Sequence, residues 1–345
     1  MESKMQHFDS DYMEGAHPRI LQRMLETNMD KLPGYGVDQY CESAKEKIRK
    51  ACECPDAQVE FLVGGTQTNA TIIDTLLQPY QGVICAETGH INVHEAGAVE
   101  VNGHKVIGLP QTNGKISASQ VDRYLNNLRS DDTYEHMVDP GLVYISHPTE
   151  VGTLYTKQEL QELRQVCDKY GINLYLDGAR LGYGLMAYDT DVTLPDVARL
   201  CDAFYIGGTK VGALFGEAVV FTRPNMAKHF LRTKKQHGAL LAKGWLLGLQ
   251  FDTLFTENLY FEISRHAIDM AMKLKKGLLE KGCRLYMDSP TNQQFIIMEN
   301  DKLREFSKKV TYSTWERIDE EHTAIRLATS WATREEDVEA VIDVL

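Results

Sequence analysis

The chain has 345 residues, 43% of them hydrophobic and 25% charged, enough for about two domains and a core that needs no covalent staples. Acidic residues outnumber basic ones by 49 to 37, a net charge of −12, which argues against nucleic acid or an anionic membrane as the main partner. The 7 scattered cysteines form no CxxC pair, and no apolar run approaches a membrane span, so a soluble cytoplasmic protein with reduced thiols is expected.

Residues 1–18 are polar and acidic, without an apolar signal core. The first apolar run, 59–63, reads as a strand leading into Val63-Gly64-Gly65-Thr66-Gln67-Thr68-Asn69 and a helical pattern over 70–77. Two glycines allow close backbone approach, Thr66 is suited to cap the helix, and the free N–H groups make an anion cradle. A capped turn with nothing bound is the plain alternative. A strand over 82–86 precedes Glu87-Thr88-Gly89-His90-Ile91-Asn92-Val93-His94-Glu95. His90 and His94 have a helical metal spacing but no visible third ligand, so no metal is expected. An imidazole stacked over a cofactor ring fits better, with a hydrogen-bonded helix-start histidine as the plain reading.

Strands are expected next at 105–109 and 142–146. The clearest helix is 157–170, where Leu160, Leu163 and Cys167 share one face and Gly171 ends it. The strand at 172–177 ends in Asp177-Gly178-Ala179-Arg180. A carboxylate there can hold a protonated ring nitrogen, and Arg180 can fork onto a carboxylate; an Asp–Arg pair or a helix cap explains the same residues. The strand at 203–206 runs into Gly207-Gly208-Thr209-Lys210, and a seventh follows at 218–222. A lysine just after a buried strand is partly desolvated, which makes its neutral amine available for a Schiff base.

Strands without polar alternation, separated by helices, imply a mostly parallel sheet with right-handed crossovers. The Gly65–Thr66 turn, Asp177 and Lys210 then meet at its carboxyl edge. A phosphate cradle, a ring-nitrogen carboxylate and an amine together describe a pyridoxal phosphate site. Past residue 225 the texture changes to a long helical region over 226–282. A strand at 294–299, a helix at 301–310, a strand at 325–329 and a final helix from Thr333 follow. This predicts an α/β large domain over 1–255 and a small α+β domain over 256–345. Arg326 lies inside an otherwise apolar strand and needs a partner, either a structural carboxylate or the substrate's.

These segments resemble the threonine aldolase family, within the fold-type I pyridoxal phosphate enzymes and often grouped with the aromatic amino acid β-eliminating lyases. The resemblance runs over nearly the whole chain, from Phe8-Asp9-Ser10-Asp11 and Pro33-Gly34-Tyr35-Gly36 through GGTQTNA, ETGHINVHEAGA, TEVGTLY and LDGAR to GGTKVGALFGEAVVF, KKQHGALLAK and IRLATSWATREEDV. It implies that Lys210 forms the Schiff base, Asp177 pairs with the pyridinium nitrogen, His90 stacks on the ring, and Gly65, Thr66 and Gln67 hold the phosphate. Arg180 and Arg326, with Ser10, match positions that bind the substrate carboxylate, Arg180 also bordering the cofactor. It further implies a homo-oligomer, a dimer or commonly a tetramer, with active sites at the dimer interface. Tyr35, toward the substrate, and Lys243, toward the cofactor, would then come from the neighbouring subunit. Where some members carry a histidine beside the substrate hydroxyl, this chain has Glu150.

The reaction implied is retro-aldol cleavage of L-3-hydroxy-α-amino acids, of the L-threonine, L-allo-threonine or phenylserine type, to glycine and an aldehyde. Glu150, His90 or an ordered water would take the β-hydroxyl proton. The same residues could serve β-elimination to pyruvate and ammonia, and a non-catalytic binder of the cofactor or an amino acid is a third reading.

Overall fold

The computed structural model describes residues 5–224 and 226–345. In chain order the strands are β1 (Gln6–His7), β2 (Gln58–Leu62), β3 (Gln81–Ala86), β4 (Val106–Leu109), β5 (Asp139–Ser146), β6 (Asn173–Asp177) and β7 (Ala203–Gly207). They continue with β8 (Glu217–Phe221), β9 (Arg284–Met287), β10 (Gln293–Glu299), β11 (Val310–Thr311), β12 (Ser313–Arg317) and β13 (His322–Ala328). The central sheet runs β2-β8-β7-β6-β5-β3-β4. All its pairings are parallel except those of β8, which is antiparallel to both neighbours. Because β2 thereby regains the direction of β7, the ends of β2, β3, β5, β6 and β7 open on one edge.

Buried strands explain the apolar runs. Every residue of β7 and β8 is buried, and separate clusters of core side chains cover the two faces of the sheet. Helix Lys157–Tyr170 spans the predicted residues. A reciprocal Thr156–Glu159 capping box starts it, and Gly171, with φ of 68°, ends it.

Three expectations need correction. The helix after β2 spans Gly65–Leu76, with Gly64 as an extended N-cap that carries no side-chain bond. Thr66 therefore lies in the first turn rather than at the cap, because the helix begins one residue before it, at Gly65. The region 226–282 contains three described helices, Phe230–Gln236, Trp245–Leu254 and Leu259–Glu280. Left-handed residues at Gly238 and Asn258 break the run. The helix expected over 301–310 is Asn300–Phe306, and the β-branched pair Val310-Thr311 pairs in parallel with β1 instead.

The C-terminal strands form an antiparallel sheet ordered β12-β13-β10-β9. Its core of Leu274, Leu278, Ile296, Ile325 and Leu327 also takes in Phe8 from the N-terminal arm. The arm is pinned there by hydrogen bonds from Phe8 to Thr311 and from Ala328 to Phe8.

Candidate active site

At the open edge of the central sheet, Gly65, Asn69, His90, Ser146, Glu150, Asp177, Ala179, Arg180, Tyr205 and Lys210 line one cavity. It opens toward a larger one of about 500 Å³, shared by His90, Glu150, Arg180 and Lys210 and closed by Tyr12, His94, Ser313, Thr314, Trp315 and Arg326. The two walls therefore belong to the central sheet and to the C-terminal sheet.

Asp177, the last residue of β6, is the most fully hydrogen-bonded group. It accepts from Tyr205 (2.6 Å), Tyr144 (2.7 Å), Asn69 (2.9 Å) and the Ala179 N–H (2.9 Å). Burial opposes its charge, but His90 and the Tyr205, Tyr144 and Asn69 donors hold the carboxyl below its usual range. Gly178 next to it must be glycine: a Cβ there would lie 1.9 Å from the Tyr205 carbonyl oxygen.

His90 is fixed by two carboxylates. Its backbone N–H donates to Glu150 Oε1 at 3.0 Å, and its Nδ1 lies 2.7 Å from Glu95 Oε1. The Nδ1–H bond to Glu95 leaves Nε2 as the unused ring nitrogen. Burial disfavours the imidazolium, yet Glu95 and Asp177 raise its pKa above the ordinary histidine value. Glu95 in turn accepts from Asn69 at 2.7 Å, so one amide nitrogen bridges Glu95 and Asp177. Glu150 accepts from the Ser146 hydroxyl at 2.6 Å. Burial pushes its carboxyl up despite that bond.

Lys210 sits in the turn after β7, its amine 5.8 Å from the centre of the Tyr12 ring. Burial and then the Arg180 charge pull the amine below its ordinary pKa, against Asp11, Glu217 and Asp177. The helix beginning at Gly65 ends its N–H row on this cavity. As the first N–H groups of a helix, those of Gly65, Thr66 and Gln67 have no intrahelical acceptors. The Gln67 side chain is engaged locally, accepting from Val63 and donating to the His237 carbonyl, both at 3.3 Å.

The two expected carboxylate-binding arginines differ. Arg180 is already forked onto Asp11, at 2.6 and 3.0 Å. Arg326 meets only neutral oxygens, on Gln293, Asp9 and Ser313, each at 3.0 Å. Its Nε, like the Ser10 hydroxyl, is buried without a partner. Burial and the nearby Arg180 lower its pKa. It is thus the arginine with capacity to spare. Tyr35 and Lys243 are both exposed and lie outside these cavities. They are brought close to one another, the Tyr35 N–H donating to the Ala242 carbonyl at 3.1 Å.

Sequence reasoning missed Asn69, Glu95, Tyr144, Tyr205, Asp11 and Glu217. For Asn69 and Glu95 a signal existed, since each closes a motif already singled out. Among the described residues, no helix is long and apolar enough to cross a membrane.

Set against known proteins, the chain matches the profile of the beta-eliminating lyase family over residues 7–301. It is 30% identical over 313 residues to a low specificity L-threonine aldolase of Pseudomonas sp., covering 90% of this chain and 89% of that protein. A low specificity L-threonine aldolase of Pseudomonas aeruginosa is 32% identical, over 77% of this chain and 76% of its own length. Among solved structures, a threonine aldolase of Leishmania major superposes with a TM-score of 0.95 at 44% identity, over 98% of both chains. An aspartate aminotransferase of Thermus thermophilus, at 14% identity, shares the fold with a TM-score of 0.69.

Proposed function

This chain belongs to the beta-eliminating lyase family, and from that premise we propose that it is a pyridoxal phosphate-dependent lyase cleaving L-3-hydroxy-α-amino acids to glycine and an aldehyde. The observation that carries the reading is the buried, four-fold hydrogen-bonded Asp177 facing the same cavity as Lys210 and the Gly65 helix end. A charged carboxylate, an amine of lowered pKa and a row of free N–H groups fit the ring nitrogen, the aldehyde and the phosphate of that cofactor. The 44% identity to the Leishmania major threonine aldolase favours carbon–carbon cleavage.

Pyridoxal phosphate, when bound, supplies a sink for the electron pair released as Cα–Cβ breaks. Lys210 would hold it covalently, Asp177 would keep a proton on its ring nitrogen, and His90 would cover one face. Gly65, Thr66 and Gln67 would hold the phosphate through backbone N–H groups. Arg326 would take the substrate carboxylate, helped by the Ser10 hydroxyl. Arg180, braced by Asp11, would border both ligands and repel a misplaced cation. Glu150 would accept the β-hydroxyl proton, since a buried carboxylate of raised pKa is a stronger base than an exposed one. His90, whose raised pKa favours the doubly protonated ring, would then donate from Nε2 to the same oxygen.

Active protein would be a cytoplasmic homodimer or homotetramer in which Tyr35 and Lys243 complete the neighbour's site, with residues 1–255 and 256–345 acting as large and small domains. Mixing inactive Lys210→Ala and Lys243→Ala chains should then restore part of the activity. No recovery after dissociation and reassembly would show that Lys243 serves its own chain.

The reading is tested by supplying L-threonine, L-allo-threonine and phenylserine to cofactor-loaded protein and measuring glycine, aldehyde and pyruvate. Glycine with aldehyde is expected. Pyruvate without aldehyde would assign β-elimination, the second reading that the family profile supports.

A further inference from the structure

Outside the cavity lining, the buried carboxyl of Glu217 has no part in the proposed chemistry. Glu217 opens β8, a strand otherwise composed of Ala218, Val219, Val220 and Phe221, and only 3% of it is exposed. Its register partner is Gly207, the last residue of β7 before the lysine turn. Its Oε2 accepts the Gly208 N–H at 3.0 Å, and the Thr209 hydroxyl is its other donor. Thr209 Oγ1 itself accepts the Gly216 N–H at 3.1 Å, leaving its own hydrogen free for the carboxyl. The carboxyl thus ties together both ends of the turn that carries Lys210, using neutral donors.

We propose that Glu217 is a positioning residue that fixes the Lys210 turn and balances the charge on the Lys210 nitrogen. The inference rests on the cofactor reading above. Burying a lone carboxylate costs several kcal/mol unless it is neutralised or faces a cation. Lys210, two residues past the Gly208 N–H that the carboxyl holds, is the cation whose charge favours its ionised form. Asp177 from β6 disfavours a second negative charge there, and the Glu217 charge in turn keeps Tyr175 from β6, Tyr205 from β7 and Tyr260 from helix Leu259–Glu280 in their neutral phenol form. Burial accordingly pushes the Glu217 carboxyl up to about 8, against Thr209 and Lys210. Above that value the carboxylate forms and holds a proton on the lysine nitrogen into alkaline solution. The proton that leaves the carboxyl goes to solvent while the lysine nitrogen keeps its own, and no bond between heavy atoms is made or broken.

The test is an absorbance titration of cofactor-loaded protein from neutral to alkaline pH, following the visible band that reports the protonated lysine–cofactor linkage. Glu217→Gln keeps an oxygen for the Gly208 N–H but cannot ionise. Its midpoint is expected to fall by about one pH unit, a tenfold change in proton affinity. A role confined to structure would lower cofactor occupancy or stability and leave the midpoint in place. If the glutamine variant does not fold, Glu217→Asp retains a carboxyl one methylene farther from the turn, and a smaller fall is expected. An unmoved midpoint in a loaded variant overturns this inference and leaves the lyase reading intact. Failure of the unaltered protein to take up pyridoxal phosphate overturns both.

Discussion

Glu150 and His90 share a wall, joined through a backbone N–H, and both are tuned by burial in opposite senses. If Glu150 is the base, the ionised carboxylate is the active form. The rate should therefore rise with pH through a carboxyl pKa above the ordinary range. Glu150→Gln should lower kcat by roughly 100- to 10,000-fold and erase that rising limb. A variant that keeps the limb would move the role to His90 or to water. Lys210 and Asp177 were legible in the sequence because each stands at or just past the end of an apolar strand, and a parallel sheet sends such residues to one edge. The groups that set their charge were not. Asn69 reaches Asp177 across 108 positions and Glu95 across 26, and Asp11 meets Arg180 across 169. No local pattern encodes such pairings. Arg180 is the other case: the guanidinium that the resemblance matches to a substrate carboxylate is forked in this structure onto the chain's own Asp11.

The strands and the helix Lys157–Tyr170 were legible as elements because burial on both faces leaves unbroken apolar runs and capping leaves paired signals. The helices after residue 225 merged in the sequence, since helical periodicity continues across breaks made by single left-handed residues. Two glycines separate the local effect from the tertiary one. Gly171 has φ of 68° with open space around it, so Gly171→Ala should cost about 1 kcal/mol, seen in denaturant unfolding, with activity retained. Gly178 has ordinary φ but no room, its Cβ falling 1.9 Å from the Tyr205 carbonyl oxygen. Gly178→Ala should push β6 from β7 at the point where Asp177 and Lys210 meet. Loss of cofactor absorbance is expected, out of proportion to any change in melting temperature.

At the scale of the molecule, the N-terminal arm joins the two sheets. Phe8 fills the C-terminal core, the Asp9 carbonyl holds Arg326, and Asp11 holds Arg180 and accepts from Asn292 at 2.9 Å. Burial resists the Asp11 charge, but Arg180 and then Lys210 bring its pKa down to about 2. A carboxyl depressed on folding stabilises above its unfolded pKa and loses that contribution as pH falls through the folded value. On the order of 2 kcal/mol should disappear between mildly acidic solution and pH near 2. Asp11→Asn should show this loss already at neutral pH, with a shallower acid limb in unfolding measurements. Equal stability of the two proteins at neutral pH would mean that the fork contributes geometry alone.

The arm also imposes an order on biosynthesis. Residues 6–11 leave the ribosome well before the β11 and β13 strands that receive them. The central sheet, complete at Phe221, has no such wait and is free to form while the rest is still being translated. A nascent chain halted before residue 310 would hold Asp177 and Lys210 on a finished edge, with the segment carrying Asp9, Ser10 and Asp11 undocked. Cofactor capture and substrate turnover should therefore be acquired at different chain lengths, the first well before the second.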